Sequence, residues 1–341
     1  MKNKICSIFI VASMIVTCFW LQAAFAQEAS PFAEFNKNAD KGTVYASVKR
    51  GSGADQLGRV IEDKTAETLL MGPSAFCADG AGNLYFADCV NFRVVKYDAA
   101  NKKTSAVFDY KMSGIKNGFV SDIAVAKSGD IYLVNSAENY VYRFDQSGKP
   151  LAVIGQIEDR HVAKRIAAIF CDPSSNLVVI DAQNPNAIVF SPEGKILKES
   201  EFKFEDATSY ALDNSGKPFA ARIDGDSAKL VDLETGKETV LKYEIDSAKE
   251  NKLVEARLIG FDNAGAAYMK MTVIDKNGGM VNNAAVKFKG AAAEKSVKMP
   301  YLTIDERELT LKNPEILVKD NTVLGYFDSD ASFDVISYEV K

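Results

Sequence analysis

The segment FCADGAGNLYFAD (76–88) has two short apolar stretches on either side of a tight, glycine-containing turn. Consecutive copies of this segment start 47, 46, 41 and 49 residues apart, and each aligns without a gap over 13 positions. The further copies are IAVAKSGDIYLVN (123–135), IFCDPSSNLVVID (169–181), YALDNSGKPFAAR (210–222) and IGFDNAGAAYMKM (259–271). A unit of this length that recurs along a chain is typical of repeat architectures and propellers.

Apolar residues within each copy recur at a spacing of two, which indicates β-strands rather than helices. A mostly aromatic column follows the turn and comprises Tyr85, Tyr132, Val178, Phe219 and Tyr268. A third strand such as RVVKYD (93–98) and a fourth such as TSAVFDY (104–110) complete a unit. Four strands in each unit predict an all-β protein built from propeller blades.

The number of units predicts a six-bladed β-propeller, with seven blades as the alternative. A degenerate sixth unit at 315–340 supplies about three strands, so a strand near the N-terminus is needed to complete it. We expect LGRVIED (57–63) to be that outer strand, although TVYASVKR (43–50) also resembles a blade strand. Closure by strands from both termini would remove the exposed sheet edges.

The first 26 residues have a basic start, an apolar run and an A-x-A exit, which are the features of a secretory signal peptide. Cleavage is expected to leave Gln27 first and to deliver a secreted or periplasmic protein without a stable membrane span. Lipidation at Cys18 is the alternative. We expect 27–42 to be a flexible segment and 43–341 to form a single propeller domain.

The composition is that of a folded globular protein, with 47% hydrophobic and 26% charged residues. The net charge of −5 argues against a nucleic-acid partner. Three cysteines lie beyond residue 26, namely Cys77, Cys89 and Cys171, and this odd number predicts unpaired thiols rather than a disulfide framework. We expect a monomer.

The first unit, GPSAFCADGAGNLYFADCVNFRVVKYD (72–98), resembles an NHL repeat. The second unit keeps GDIY (129–132) and the third keeps NLV (176–178), while units four to six drift from the pattern. This resemblance implies a six-bladed propeller. The family includes protein-binding, lyase and lactonase-like members, so the resemblance leaves the function open.

A polar column ends the second strand of the first three units, at Asp88, Asn135 and Asp181, whereas Arg222 and Met271 occupy it in the next two. Oxygen-bearing side chains at equivalent places of a ring are candidate ligands for calcium. Alternatively, these residues bond to their own turns, and Asp88 forms an ion pair with Arg93.

The connections from each fourth strand to the next first strand are expected to gather on one face, and they carry Lys116, Arg160 and His161. His161 is the only histidine; it is a weak candidate for a general base, and one histidine excludes a histidine-rich zinc site. Our first hypothesis is a propeller that binds a protein, peptide or glycan through these loops and needs no cofactor. The alternative is a calcium-assisted lactonase or lyase.

Overall fold

The computed structural model describes residues 33–60, 71–115, 119–157, 160–161, 163–203, 206–301, 311 and 314–341. Within these ranges the chain is almost wholly β, with one short helix, α1 (Ala33–Lys37), and one 3-10 turn (Ser247–Lys249). None of the helices in these ranges has the length and apolar character needed to cross a membrane. The expected signal peptide lies outside the described residues.

Six four-stranded antiparallel sheets form the blades, which confirms the predicted propeller of six blades. Strand β1 (Thr43–Lys49) comes first in the chain and belongs to the last blade. Blade 1 contains β2 (Ala75–Ala78), β3 (Leu84–Asp88), β4 (Arg93–Asp98) and β5 (Lys103–Asp109), and blade 2 contains β6 (Val120–Val125), β7 (Ile131–Asn135), β8 (Tyr140–Phe144) and β9 (Pro150–Ile154). A small hairpin of β10 (Gln156–Ile157) and β11 (Arg160–His161) follows blade 2.

The remaining blades repeat the same strand order. Blade 3 contains β12 (Ile166–Cys171), β13 (Leu177–Asp181), β14 (Asn186–Phe190) and β15 (Ile196–Glu201), and blade 4 contains β16 (Ser209–Leu212), β17 (Pro218–Asp224), β18 (Ser227–Asp232) and β19 (Glu238–Leu241). Blade 5 contains β20 (Lys252–Phe261), β21 (Ala267–Ile274), β22 (Met280–Lys289) and β23 (Ala292–Lys298), and blade 6 contains β24 (Ile316–Lys319), β25 (Thr322–Asp328), β26 (Ser332–Glu339) and β1.

The first strand of every blade lies next to the propeller axis. Each first strand contacts the first strands of its two neighbours, and β24 contacts β2, so the ring is closed. The second strands β3, β7 and β13 are buried along their whole length, because each is covered by neighbouring blades on both sides. This explains why their sequences are apolar at successive positions.

The strand that closes the ring is β1, and our expectation of an outer strand at 57–63 is wrong. β1 pairs antiparallel with β26, and its alternate residues Ala46 and Val48 are buried in the core between blades 6 and 1. Leu57 and Val60 make only isolated bridges, and 61–63 lie outside the described residues. The alternation in β1 suits an outer strand that has one buried and one exposed face.

Side chains join the first strands of neighbouring blades. The Asp122 carboxylate of blade 2 accepts a hydrogen bond from the Ile169 backbone N–H of blade 3 at 3.0 Å. Ser209 Oγ of blade 4 accepts one from the Leu258 backbone N–H of blade 5 at 2.6 Å. Because a first strand has one edge without a strand partner, these bonds satisfy backbone groups that would otherwise be unpaired.

The described part of the N-terminal segment contacts blade 5. Asn36 of α1 donates from Nδ2 to the Tyr301 carbonyl at 2.9 Å, and its Oδ1 accepts from the Tyr301 N–H at 2.8 Å. The Asp40 N–H donates to the Lys298 carbonyl at 2.9 Å. Residues 33–40 therefore lie alongside the chain at the C-terminal end of β23.

The three described cysteines, Cys77, Cys89 and Cys171, are unpaired, which confirms the prediction from their number. Burial raises the pKa of the Cys89 thiol to about 11. The Cys77 and Cys171 thiols have raised pKa values for the same reason. All three are therefore poorly ionised at neutral pH, as expected for packing groups rather than nucleophiles.

Candidate functional site

The two faces of the propeller differ in their connections. We call the face that carries the connections from each fourth strand to the next first strand the upper face, and the opposite face, with the first-to-second-strand turns, the lower face. Asp88, Asn135 and Asp181 end β3, β7 and β13 at the upper face, as predicted, and all three are buried. Asp328 ends β25 in the same way and is the column member that the sequence analysis missed.

Asp88 fixes the segment that precedes blade 1. Its carboxylate accepts hydrogen bonds from the Gly58 backbone N–H at 3.1 Å and from Asn91 Nδ2 at 2.8 Å. Arg93 Nε donates to the same carboxylate at 3.1 Å and its guanidinium also bonds to carbonyls within 52–56. The ion pair of Asp88 with Arg93 thus links a blade to the loop beside it.

Asp181 fixes two chain segments at the top of blade 3. Its carboxylate accepts from the backbone N–H groups of Lys164 at 2.7 Å and Arg165 at 3.1 Å, on the connection that enters the blade. It also accepts from Gln183 at 2.9 Å and Asn184 at 3.2 Å in the turn that follows β13. The carboxylate therefore holds the two connections together.

Asn135 fixes the turn that follows β7 in blade 2. Its Oδ1 accepts from the Ala137 N–H at 3.0 Å, and its Nδ2 donates to Glu138 Oε2 at 2.9 Å. In the next two blades the column changes character, because Arg222 forms a 2.9 Å ion pair with Glu238 and Met271 is buried in the core.

The column residues lie in separate blades, and each bonds to its own blade or to the connection that enters it. Within the described ranges, there is no group of at least three histidine, cysteine, aspartate or glutamate side chains that could hold a metal ion. Because the oxygens of Asp88 and Asp181 accept N–H groups, a calcium ion there would have to replace these donors. Calcium binding stays a prediction of the sequence.

The remaining candidates lie on the upper-face connections. Arg160 and His161 form β11, which pairs with β10 between blades 2 and 3. Their side chains, like the whole of Lys116, lie outside the described part of the structure. Their roles stay predictions.

Exposed apolar side chains mark the upper face between blades 1 and 2. Met112 is 85% exposed and Phe119 is 50% exposed on the connection between the two blades. Phe92, in the neighbouring turn of blade 1, is 37% exposed, and Lys111 Nζ lies 4.5 Å from the centre of its ring. The face thus presents apolar groups beside a cation.

An open axial cavity of about 470 Å³ is lined by the first strands of all six blades or by residues next to them. Most of the lining residues are apolar by type, among them Tyr210, Leu212, Ile259 and Leu317, but the surface that faces the cavity is more polar than apolar. The charged residues of the described wall are Arg257 and Glu315, which lie toward the upper face.

Glu255, Arg257, Lys270 and Glu315 form what we call the charged quartet, of which Arg257 and Glu315 line the cavity. Lys270, only 1% exposed, lies opposite Arg257 in the register of β20 and β21. Its Nζ is 3.2 Å from Glu315 Oε1 and 3.4 Å from Glu255 Oε2. Arg257 Nη2 is 3.1 Å from Glu255 Oε1 and also pairs with Glu315.

The cations of the quartet keep Glu255 ionised. Burial of Glu255 opposes its ionisation, but Lys270 and Arg257 together bring its pKa below the ordinary value. Thr272 Oγ1 adds a hydrogen bond to Glu255 Oε2 at 2.7 Å. The buried Nε of Arg257, in contrast, has no acceptor among the described residues.

The quartet was missed by the sequence analysis, although one signal was present. Lys270 is the single charge in the apolar strand AYMKMTVI (267–274), and a lysine buried in a blade requires a carboxylate partner. Glu255 and Glu315 lie outside the aligned copies, so the repeat itself did not draw attention to them.

Among known proteins, this chain is similar to several solved structures. No protein-family model matches the chain, and no curated protein sequence matches it. Selenomethionine-substituted virginiamycin B lyase from Staphylococcus aureus is 12% identical with a TM-score of 0.46, over 78% of this chain and 94% of that chain. A streptogramin B lyase is 11% identical with a TM-score of 0.43, over 88% and 96% of the respective chains.

A catalytically inactive virginiamycin B lyase from Staphylococcus aureus with quinupristin is 12% identical, with a TM-score of 0.47, over 82% of this chain and 99% of that chain. At identities this low the similarity concerns the chain fold and says nothing about activity.

Proposed function

We propose that this protein is a secreted or periplasmic binding propeller, related in organisation to NHL-repeat propellers, whose upper face holds a protein, peptide or glycan. The observation that carries the proposal is the exposure of Met112 and Phe119 together with the Phe92 ring beside Lys111. Exposed apolar groups next to a cation suit a partner with both apolar and polar surfaces.

The attachment of the upper-face loops supports this role. The Asp88 and Asp181 carboxylates bond the connections to rigid strands, so the loops are held in place before a ligand arrives. A site that is ordered in advance loses less conformational entropy when it binds. The fixed scaffold with variable connections is the usual arrangement of binding loops.

The lower face, by comparison, is built from tight turns that use their own polar groups. Asp172 accepts hydrogen bonds from the Ser174 and Asn176 N–H groups, both at 2.8 Å, and Asp213 accepts from Ser215 at 2.8 Å and Lys217 at 3.0 Å. Carboxylates that close their turns in this way have fewer acceptor sites left for a partner. This contrast favours the upper face.

The test uses the chain from residue 27 on peptide and glycan arrays, followed by affinity measurement for the ligand found. Met112→Ser combined with Phe119→Ser should weaken binding about tenfold or more. The matched control is Leu197→Ser with Val240→Ser, which changes residues 52% and 51% exposed on the outer strands of blades 3 and 4. Equal losses in both variants, or no ligand on either array, would refute the proposal.

A further inference from the structure

Met112 is the most exposed methionine of the chain that follows residue 26. That chain contains six methionines, and the structure describes all of them: Met71, Met112, Met269, Met271, Met280 and Met299. Three of the six are buried, and Met71 and Met280 are half-buried, whereas Met112 is 85% exposed. A reagent in solution therefore reaches the Met112 thioether more easily than any of the others.

The loop that carries Met112 is fixed to blade 1 through its backbone. The Met112 N–H donates to Asp109 Oδ1 at 2.9 Å, and the Ile115 N–H donates to the Tyr110 carbonyl at 3.0 Å. Tyr110 and Ile115 are fully buried in the core between blades 1 and 2. Because none of these contacts uses the Met112 side chain, a chemical change at its sulfur alters the surface and leaves the fold as it is.

The neighbouring Phe92 has an unfavourable backbone conformation that keeps its ring at the same surface. Its φ is 56°, in the left-handed region, and the equivalent turn position of blade 2 is Asn139 at 57°. Asparagine tolerates this region much better than a bulky residue does. The Phe92 ring packs edge-on against Tyr110, with ring centres 6.4 Å apart. An aromatic side chain kept partly exposed at such a cost is typical of a functional surface.

We propose that Met112 is an oxidation site through which a peroxide changes this part of the upper face from an apolar to a polar surface and so weakens its hold on an apolar partner. The effect on a partner rests on the proposed function. The chemistry at sulfur rests on the exposure of Met112 and the anchoring of its loop.

The reaction with hydrogen peroxide is a two-electron oxidation of the sulfur. A lone pair of Met112 Sδ attacks one peroxide oxygen, and the O–O bond breaks as the S–O bond forms. The departing oxygen takes the proton of the transferred oxygen and leaves as water. The sulfoxide is polar where the thioether was apolar, and a methionine sulfoxide reductase reverses the change. That reversal consumes two thiols and releases a disulfide and water.

The first test measures the rate of sulfoxide formation at each methionine. The chain starting at residue 27 is treated with hydrogen peroxide and analysed by peptide mass spectrometry. Met112 should react about tenfold faster or more than the three buried methionines, and faster than Met71 and Met280. Protein oxidised only at Met112 should keep the circular dichroism spectrum of the untreated chain. An equal or higher rate at any other methionine would overturn the proposal.

The second test uses a phenyl resin as the apolar probe. Wild type oxidised at Met112 should elute earlier than untreated wild type, and methionine sulfoxide reductase with dithiothreitol should restore the retention. Met112→Gln, which is polar without any peroxide, should also elute early. Met112→Leu should elute at the same position before and after peroxide. Met280→Leu is the matched control and should keep the wild-type response.

Two results on the resin would also overturn the proposal. These are an unchanged elution of the oxidised wild type and a peroxide-dependent shift that persists in Met112→Leu. Failure of the array experiment leaves both tests interpretable, because neither uses the ligand that the arrays seek.

Discussion

Lys270 and Glu315 form a buried ion pair between blades 5 and 6, with Nζ 3.2 Å from Oε1. Both side chains have lost nearly all contact with water, and that loss is compensated only because Glu255 and Arg257 complete the set of charges. A buried pair of this kind contributes little net stability, but the loss of one partner leaves an unpaired charge in the interior. The quartet therefore makes the junction of the two blades sensitive to single substitutions.

We predict that Lys270→Met lowers the free energy of unfolding by about 3–5 kcal/mol, because Glu255 and Glu315 would share only Arg257. Urea denaturation measures the change. The matched control is Lys276→Met, whose ion pair with Glu250 is exposed and should contribute almost nothing. Similar losses in the two variants would contradict a special role for the quartet.

Asp181→Ala should lower the free energy of unfolding by about 1–3 kcal/mol, because it leaves four backbone N–H groups of the upper-face connections without their acceptor. Asp181→Asn, which keeps one oxygen, should lose less. Thermal melting in calcium and in EDTA should give the same difference from wild type. A stabilisation by calcium that disappears in Asp181→Ala would instead support the cation site.

Removal of β1 should expose the outer edge of blade 6. A chain that starts at Arg50 leaves β26 as an exposed edge, which favours association with other chains. A chain that starts at Thr43 lacks α1 but keeps β1, and it should remain monomeric with a melting temperature closer to wild type. Light scattering after size-exclusion chromatography distinguishes the two. An Arg50 chain that is monomeric and equally stable would show that blade 6 holds without its fourth strand.

Acid sensitivity should depend on Asp262 at the lower face. Lys287 Nζ lies 2.7 Å from its Oδ2, and the Ala264 and Ala266 N–H groups donate to its Oδ1. Burial opposes the ionisation of Asp262, but Lys287 and these N–H groups bring its pKa below the ordinary value of 3.8. Its stabilisation is therefore present above about pH 4 and lost as the pH falls through the folded-state pKa.

Asp262→Asn should accordingly be less stable than wild type at about pH 6, with a smaller difference at about pH 3. Urea denaturation at both pH values measures the two differences. Asp226→Asn, in the exposed turn between β17 and β18, is the control and should match wild type throughout. A constant deficit for Asp262→Asn would exclude the linkage.

The local pattern of the sequence was sufficient for the strands, the blades and the place of Asp88, Asn135 and Asp181. The spacing of apolar residues by two and the regular glycine turns are properties of residues close together in the sequence. They recur in each blade because the sequence repeats. The sequence did not identify which segment supplies the outer strand of blade 6, because 43–50 and 57–63 both have a strand-like pattern. Only the pairing of β1 with β26 decides between them. The quartet also depends on distant contacts, since Arg257 and Glu315 are 58 residues apart.

Closure of blade 6 also has a consequence for the order of folding. Ser47 in β1 bonds to Asp334 in β26 across 287 residues of chain. During synthesis, β1 leaves the ribosome long before β26 has been translated. It therefore has no strand partner while the first five blades fold. Contacts this distant in sequence form slowly, because nearly the whole chain must be ordered before they are made. The docking of β1 on β26 is therefore expected to be the late, rate-limiting step of folding.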